Sequence, residues 1–172
     1  MNPMTIREYY KPIQPTVSTT DKEISYQEIR PSKEIEDFIY CFWQLRTQNT
    51  LTQDYNYRVV SDGCIDIFYN HKQPAESFIM GFCRKFVQFP IGKDFEYIGI
   101  RFLPSAFPYL FGINARTLSN QSQELIKILP DFADWIRSEI NSADSFASIT
   151  KILDERITGF LKNQDIIMII VF

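Results

Sequence analysis

The sequence is poor in the residues on which most recognisable chemistry depends. It holds one histidine, His71, in 172 residues. A single imidazole cannot furnish a histidine-rich metal site or an HExxH motif, and it leaves a catalytic triad poorly supported. His71 lies in the polar stretch Asn70-His71-Lys72-Gln73-Pro74, where solvation is the simple reading. The six glycines form neither GxGxxG nor GxxxxGK[ST], which removes the backbone loops that cradle phosphates. The three cysteines, Cys41, Cys64 and Cys83, are far apart and make no CxxC pair. An odd number of dispersed cysteines argues against a disulfide framework and fits buried thiols in a reducing cytoplasm. No cofactor and no metal are expected from this inventory.

Long apolar runs and basic runs are missing as well. The first ten residues are polar, without the apolar core of a signal peptide. The longest apolar stretch, 166–172, is too short to span a membrane. The formal net charge is −3, with Lys and Arg scattered along the chain. A protein that binds nucleic acid by itself generally gathers basic residues on one face, so direct DNA binding by this chain is not expected.

What is present is globular. Hydrophobic residues make up 45% of the chain and aromatics 15%, enough for a core and for the walls of an apolar pocket. Residues 1–24 read as a flexible leader containing Pro3, Pro12 and Pro15. Residues 25–103 read as a β-rich part. Strands are expected over 25–30, 40–45, 57–60, 64–69, 77–82, 85–89 and 96–102, punctuated by turn signals such as Ser61-Asp62-Gly63. A short helix is expected to start at Pro31-Ser32, with Ile35, Phe38 and Ile39 on one side.

Residues 104–172 read as helical. Pro104-Ser105 opens one helix and Gly112 closes it. Asp131 caps another, carrying Phe132, Trp135, Ile136 and Ile140. Asp144 or Ser145 caps the last, with Phe146, Ile149, Leu153, Ile157 and Phe160 as a stripe. That stripe either covers the β part within one molecule or forms a helix–helix seam with a second copy. The apolar tail 166–172 is expected to continue the helix and to pack on the domain or on that second copy. The fold class is therefore α+β: a small cupin-like β-barrel or sandwich followed by a helical part, in one compact domain.

Two places concentrate polar chemistry. The first is Asp62-Gly63-Cys64-Ile65-Asp66. Either its carboxylates and thiol belong to a ligand site, or it is a turn whose Asp accepts backbone N–H bonds, followed by a strand with a packed Cys64. The turn is the preferred reading, since no histidine is near in sequence to activate the thiol. The second is Arg101 in Ile98-Gly99-Ile100-Arg101-Phe102. On a strand it points opposite to Ile100 and Phe102. It then either faces solvent or faces a cavity, where it would pair with Asp62 or Asp66 or bind an anion. A structural Arg–Asp pair is preferred.

Several segments in order resemble the N-terminal domain of one subfamily of AraC-type transcriptional regulators. They are residues 26–32, Phe38-Ile39-Tyr40-Cys41-Phe42-Trp43, residues 61–68, Gly99-Ile100-Arg101-Phe102-Leu103-Pro104-Ser105-Ala106-Phe107, and Phe111-Gly112-Ile113. The resemblance implies a sensor and dimerisation domain. Its partners would be an unknown small-molecule effector and a second copy of the chain. DNA would be reached only through a C-terminal helix-turn-helix domain that these residues do not include. The candidate ligand-binding residues are Asp62, Cys64, Asp66, Arg101 and Trp43. The competing readings are a small barrel enzyme built around the same residues and a dimerisation module with no ligand.

Overall fold

A computed structural model of the chain describes residues 6–10, 23–140 and 145–171, with side chains described up to residue 163. Two antiparallel sheets and a set of helices form the fold. The strands are β1 (Ile24–Ile29), β2 (Ile39–Thr47), β3 (Asn56–Val59), β4 (Ile65–Asn70), β5 (Gln73–Met80), β6 (Val87–Pro90), β7 (Glu96–Phe102) and β8 (Ser122–Glu124). Six of them make one sheet in the order β1-β2-β7-β4-β5-β8, while β3 and β6 pair separately. Neither sheet closes on itself among the described residues. The α+β expectation holds in this coarser form, without a closed barrel.

Alternation along the central strands divides the large sheet into two chemically different faces. Ile98, Ile100 and Phe102 of β7 stand on one face beside Ile65, Ile67 and Tyr69 of β4, their direct cross-strand partners. All six are buried. The helices α2 (Ala106–Phe111), α4 (Pro130–Trp135) and α5 (Phe146–Val171) cover that face. Phe107, Leu110, Phe132, Ile149 and Leu153 join one core cluster with it. At about 1.5–3 kcal/mol for each large apolar side chain fully removed from water, this layer is the main source of stability.

The stripe Phe146, Ile149, Leu153 and Ile157 is buried inside this one molecule. It is core, which removes it as a seam between two copies. Phe160 is half-buried and packs on Phe111, ring centroids 5.5 Å apart. Two hydrogen bonds tie α5 to the chain entering β2: Asp154 accepts from the Ser32 backbone N–H and from its hydroxyl, both at 2.7 Å. The tail expected to pack at 166–172 falls outside the described side chains, as does the alternative cap Asp144. The other cap is in place, Ser145 Oγ accepting from Ser148 N at 3.2 Å.

The helix expected from Pro31-Ser32 is instead a run of turns over 33–38. Ser32 is engaged by Asp154 through its backbone N–H and its hydroxyl, and β2 begins at Ile39. A short α3 (Leu125–Ile128), β8 and a 3-10 turn (Ala115–Leu118) fill the stretch between α2 and α4. Within the expected leader, Ile6–Tyr9 forms a one-turn helix, α1. Arg7 fastens it by donating to the carbonyls of Glu36, Ile39 and Tyr40 at 3.0, 2.5 and 2.6 Å. No described helix is long and apolar enough to cross a membrane.

Candidate functional site

The opposite face of the large sheet carries the polar chemistry. Cross-strand register sets Cys41 beside Arg101 and Trp43 beside Gly99 on β2 and β7. On β4 it sets Asp66 beside Arg101 and Phe68 beside Gly99. Gly99 has a steric reason to be glycine. A Cβ there would lie 2.2–2.6 Å from the Trp43 indole, so the ring crosses β7 where the strand has no side chain. The two-stranded sheet packs over this surface: Tyr57 shares a buried cluster with Cys41, Trp43, Leu45 and Phe95, and Val59 and Phe89 pack against it.

Between the two sheets lies a cavity of about 330 Å³. Six aromatic side chains dominate its wall: Trp43, Tyr57, Phe68, Phe78, Phe89 and Tyr97. Asp66 is the one carboxylate of the described lining, which contains no Lys, Arg or His. Asn120, Gln121 and Ser122, all exposed, supply polar groups at the rim. Asn120 takes a left-handed backbone, φ 57°, which Asn tolerates better than most residues. Its Oδ1 accepts from Arg84 N at 2.9 Å and fixes that edge.

Asp66 is locked by Arg101. The Arg101 Nε–H is shared between Oδ1 (3.1 Å) and Oδ2 (3.3 Å), and Nη2 donates to Oδ2 at 2.9 Å. Arg101 is 2% exposed. Burial pushes the Asp66 carboxyl up, and the charge and hydrogen bonds of Arg101 oppose that push. Asp66 in turn raises Arg101, so the cation is permanent. Around Asp66 two buried donors, Arg101 Nη1 and Trp43 Nε1, have no hydrogen-bond partner among the described residues. The indole N–H is near enough to Asp66 to favour its charge but does not reach hydrogen-bond geometry.

The five residues singled out from the sequence therefore separate. Trp43 and Asp66 line the cavity, and Arg101 stands behind Asp66 as its partner. Asp62 and Cys64 are not part of the lining. Asp62 accepts from Cys64 N at 3.0 Å through Oδ1 and from the Tyr10 hydroxyl at 2.7 Å through Oδ2. Gly63 takes the positive φ, 76°, that this turn needs. Burial pushes the Cys41 and Cys64 thiols far above their ordinary range, away from the thiolate a nucleophile requires. His71 is half-buried, edge-on to Tyr69, and outside the lining.

Tyr57, Phe68, Phe78, Phe89 and Tyr97 were not anticipated as a set. The available signal was period two: Phe68 follows Asp66 by two residues, and Tyr97 precedes Gly99 by two and Arg101 by four. Which strands would face them was a matter of long-range topology.

Comparison with known proteins gives one match. A family model described as a domain of unknown function, DUF6597, matches residues 27–124. No curated protein and no solved structure matches the chain.

Proposed function

The chain belongs to the DUF6597 family, and from that premise we propose that it is the ligand-sensing and dimerisation part of an AraC-type transcriptional regulator. The observation that carries the proposal is the aromatic cavity between the two sheets. Its described lining runs from Trp43 to Ser122 and so falls wholly within the matched residues 27–124. The segments that resemble such regulators at Phe38–Trp43, 61–68 and Gly99–Phe107 fall within the same span; the first two contribute Trp43, Asp66 and Phe68 to the lining, and the third holds Arg101, the partner of Asp66. The cupin-like reading belongs to this proposal too, with two antiparallel sheets enclosing a ligand in a partly open form.

A site that binds without transforming needs shape, apolar walls and a few fixed polar groups. Catalysis needs in addition a base, acid or nucleophile free to act. Asp66 is held by Arg101, the Tyr57 hydroxyl is pushed far up by burial, and the thiols are pushed up outside the lining. These features favour sensing over a barrel enzyme. In the sensing reading a ligand binds one arrangement of the domain better and so biases how an attached DNA-binding domain is presented. The protein acts in the cytoplasm.

The test is a fusion of the whole chain to a DNA-binding domain that occupies its operator only as a dimer. The expected result is operator occupancy above that of the DNA-binding domain alone. It should also change when Met80→Trp fills the cavity. Occupancy no higher than that of the isolated DNA-binding domain would overturn the proposal.

A further inference from the structure

The chemistry of the cavity wall restricts what fits inside it. We infer that the ligand is a neutral, planar heterocycle of one or two rings carrying a hydrogen-bond donor and an acceptor side by side on its inner edge. The inference rests on reading this cavity as a sensor site and adds the class of ligand.

Size comes first. A volume of about 330 Å³ lies at the small end of the roughly 300–1,000 Å³ typical of small-molecule sites. One or two fused rings suit it better than a long chain. Shape comes second. Trp43 and Phe68 rings stand 6.0 Å apart, Phe68 and Phe78 5.5 Å, and Phe68 and Tyr97 5.9 Å. Surfaces built of ring faces and edges favour a flat, polarisable guest.

Charge comes third and excludes most. The described lining holds no cation, and Arg101 is already turned to Asp66 through Nε and Nη2. A carboxylate or phosphate on the ligand would meet aromatic walls and the Asp66 carboxylate, with its hydration lost and no counter-charge gained. A cation would meet a carboxylate whose charge Arg101 already balances. A neutral molecule incurs neither penalty.

Hydrogen bonding comes last and defines the inner edge. Trp43 Nε1–H is a buried donor without a hydrogen-bond partner among the described residues. Asp66 Oδ1 receives only the shared Arg101 Nε–H among the described residues, so it can accept one more donor. Both residues line the cavity. The Trp43 indole overlies Gly99, two residues from the Arg101 that pairs with Asp66. A ring N–H next to a carbonyl, as in a cyclic amide, satisfies both groups at once.

The probes are 2-quinolone, a neutral bicyclic cyclic amide, and quinoline-2-carboxylate, which has the same rings and an anionic edge. Binding to the wild-type chain is read by titration calorimetry. Trp43→Phe keeps a ring in the wall but removes the donor. The expected result is saturable binding of 2-quinolone, with the carboxylate at least about tenfold weaker, as for an unpaired buried charge. Trp43→Phe should weaken 2-quinolone by about five- to tenfold, the effect of losing one neutral hydrogen bond. Unfolding of that variant by urea, matched to wild type, separates lost binding from lost fold. Tighter binding of the carboxylate, or of 2-quinolone to Trp43→Phe, overturns the ligand class while leaving a small-molecule site intact. Heat-free titrations with both probes overturn the ligand class; if the operator fusion also fails to respond to Met80→Trp, the sensor reading falls separately.

Discussion

Substituting either member of the Asp66–Arg101 pair should expose how the cavity floor is held. Asp66→Asn keeps the side-chain shape and removes the negative charge. Arg101 is then a buried cation without compensation. It cannot give up its proton, because a guanidinium stays charged at any accessible pH. Breaking a buried pair in this way costs about 3–5 kcal/mol, a large part of the roughly 5–15 kcal/mol that holds a typical domain together. Arg101→Met strands the carboxylate instead, and a carboxyl has a way out by taking a proton. Burial already pushes Asp66 up, and without Arg101 nothing in the pair opposes that push.

The sign follows from linkage. A carboxyl whose folded-state pKa lies above its unfolded value contributes stability below the unfolded pKa and loses it as pH rises through the folded one. The deficit of Arg101→Met relative to wild type should therefore shrink from about pH 8 to about pH 5, whereas that of Asp66→Asn, which has no carboxyl to protonate, should not shrink in that direction. Asp66→Leu combined with Arg101→Met replaces the whole pair by apolar groups and should recover most of the loss. Urea unfolding of the four proteins at both pH values measures all of this. An Asp66→Asn loss below about 1 kcal/mol, the value of an exposed pair, would refute the reasoning. So would an Arg101→Met deficit that ignores pH.

Other consequences follow from single contacts. Gly99→Ala places a Cβ against the Trp43 indole and should destabilise by about 1–3 kcal/mol as an overpacking change. It should also shift Trp emission; unchanged stability and emission would show that the ring does not rest on β7. Asp62→Ala strands the Cys64 N–H and the Tyr10 hydroxyl, and should lower stability by about 1–3 kcal/mol without altering ligand affinity. An unchanged unfolding midpoint with lost ligand binding would move Asp62 into the site. Cys41 and Cys64, buried and held as thiols, should react with a thiol-specific disulfide reagent only at the rate of structural opening, measured against the urea-unfolded chain; rapid labelling of the native protein would contradict that.

The sequence carries local periodicity well and spatial assembly poorly. The Ile98-Gly99-Ile100-Arg101-Phe102 alternation was enough to place Arg101 on the face opposite the core. It left Asp62 and Asp66 as equal partners, because the choice depends on the β4–β7 register, which places Asp66 directly across from Arg101. Asp62 could be read as a turn acceptor from Asp-Gly alone, since that contact spans two residues. Spacing identified the apolar side of α5, but not whether a second molecule or the sheet covers it. The Pro31-Ser32 start signal was overridden by a contact to Asp154, more than a hundred residues away. The aromatic wall was hidden for the same reason: Tyr57 and Phe89 belong to a separate sheet, and nothing local brings that sheet over Trp43.

The central claim is that the cavity above Trp43 holds a small molecule and leaves it chemically unchanged. Native mass spectrometry of the purified chain, incubated with the small-molecule fraction of a bacterial extract, tests this most directly. A stoichiometric adduct that Met80→Trp abolishes is expected. The bound compound should be released on denaturation with the same mass after short and long incubation. A chain that retains nothing, or a compound whose mass changes with time on the protein, would contradict it.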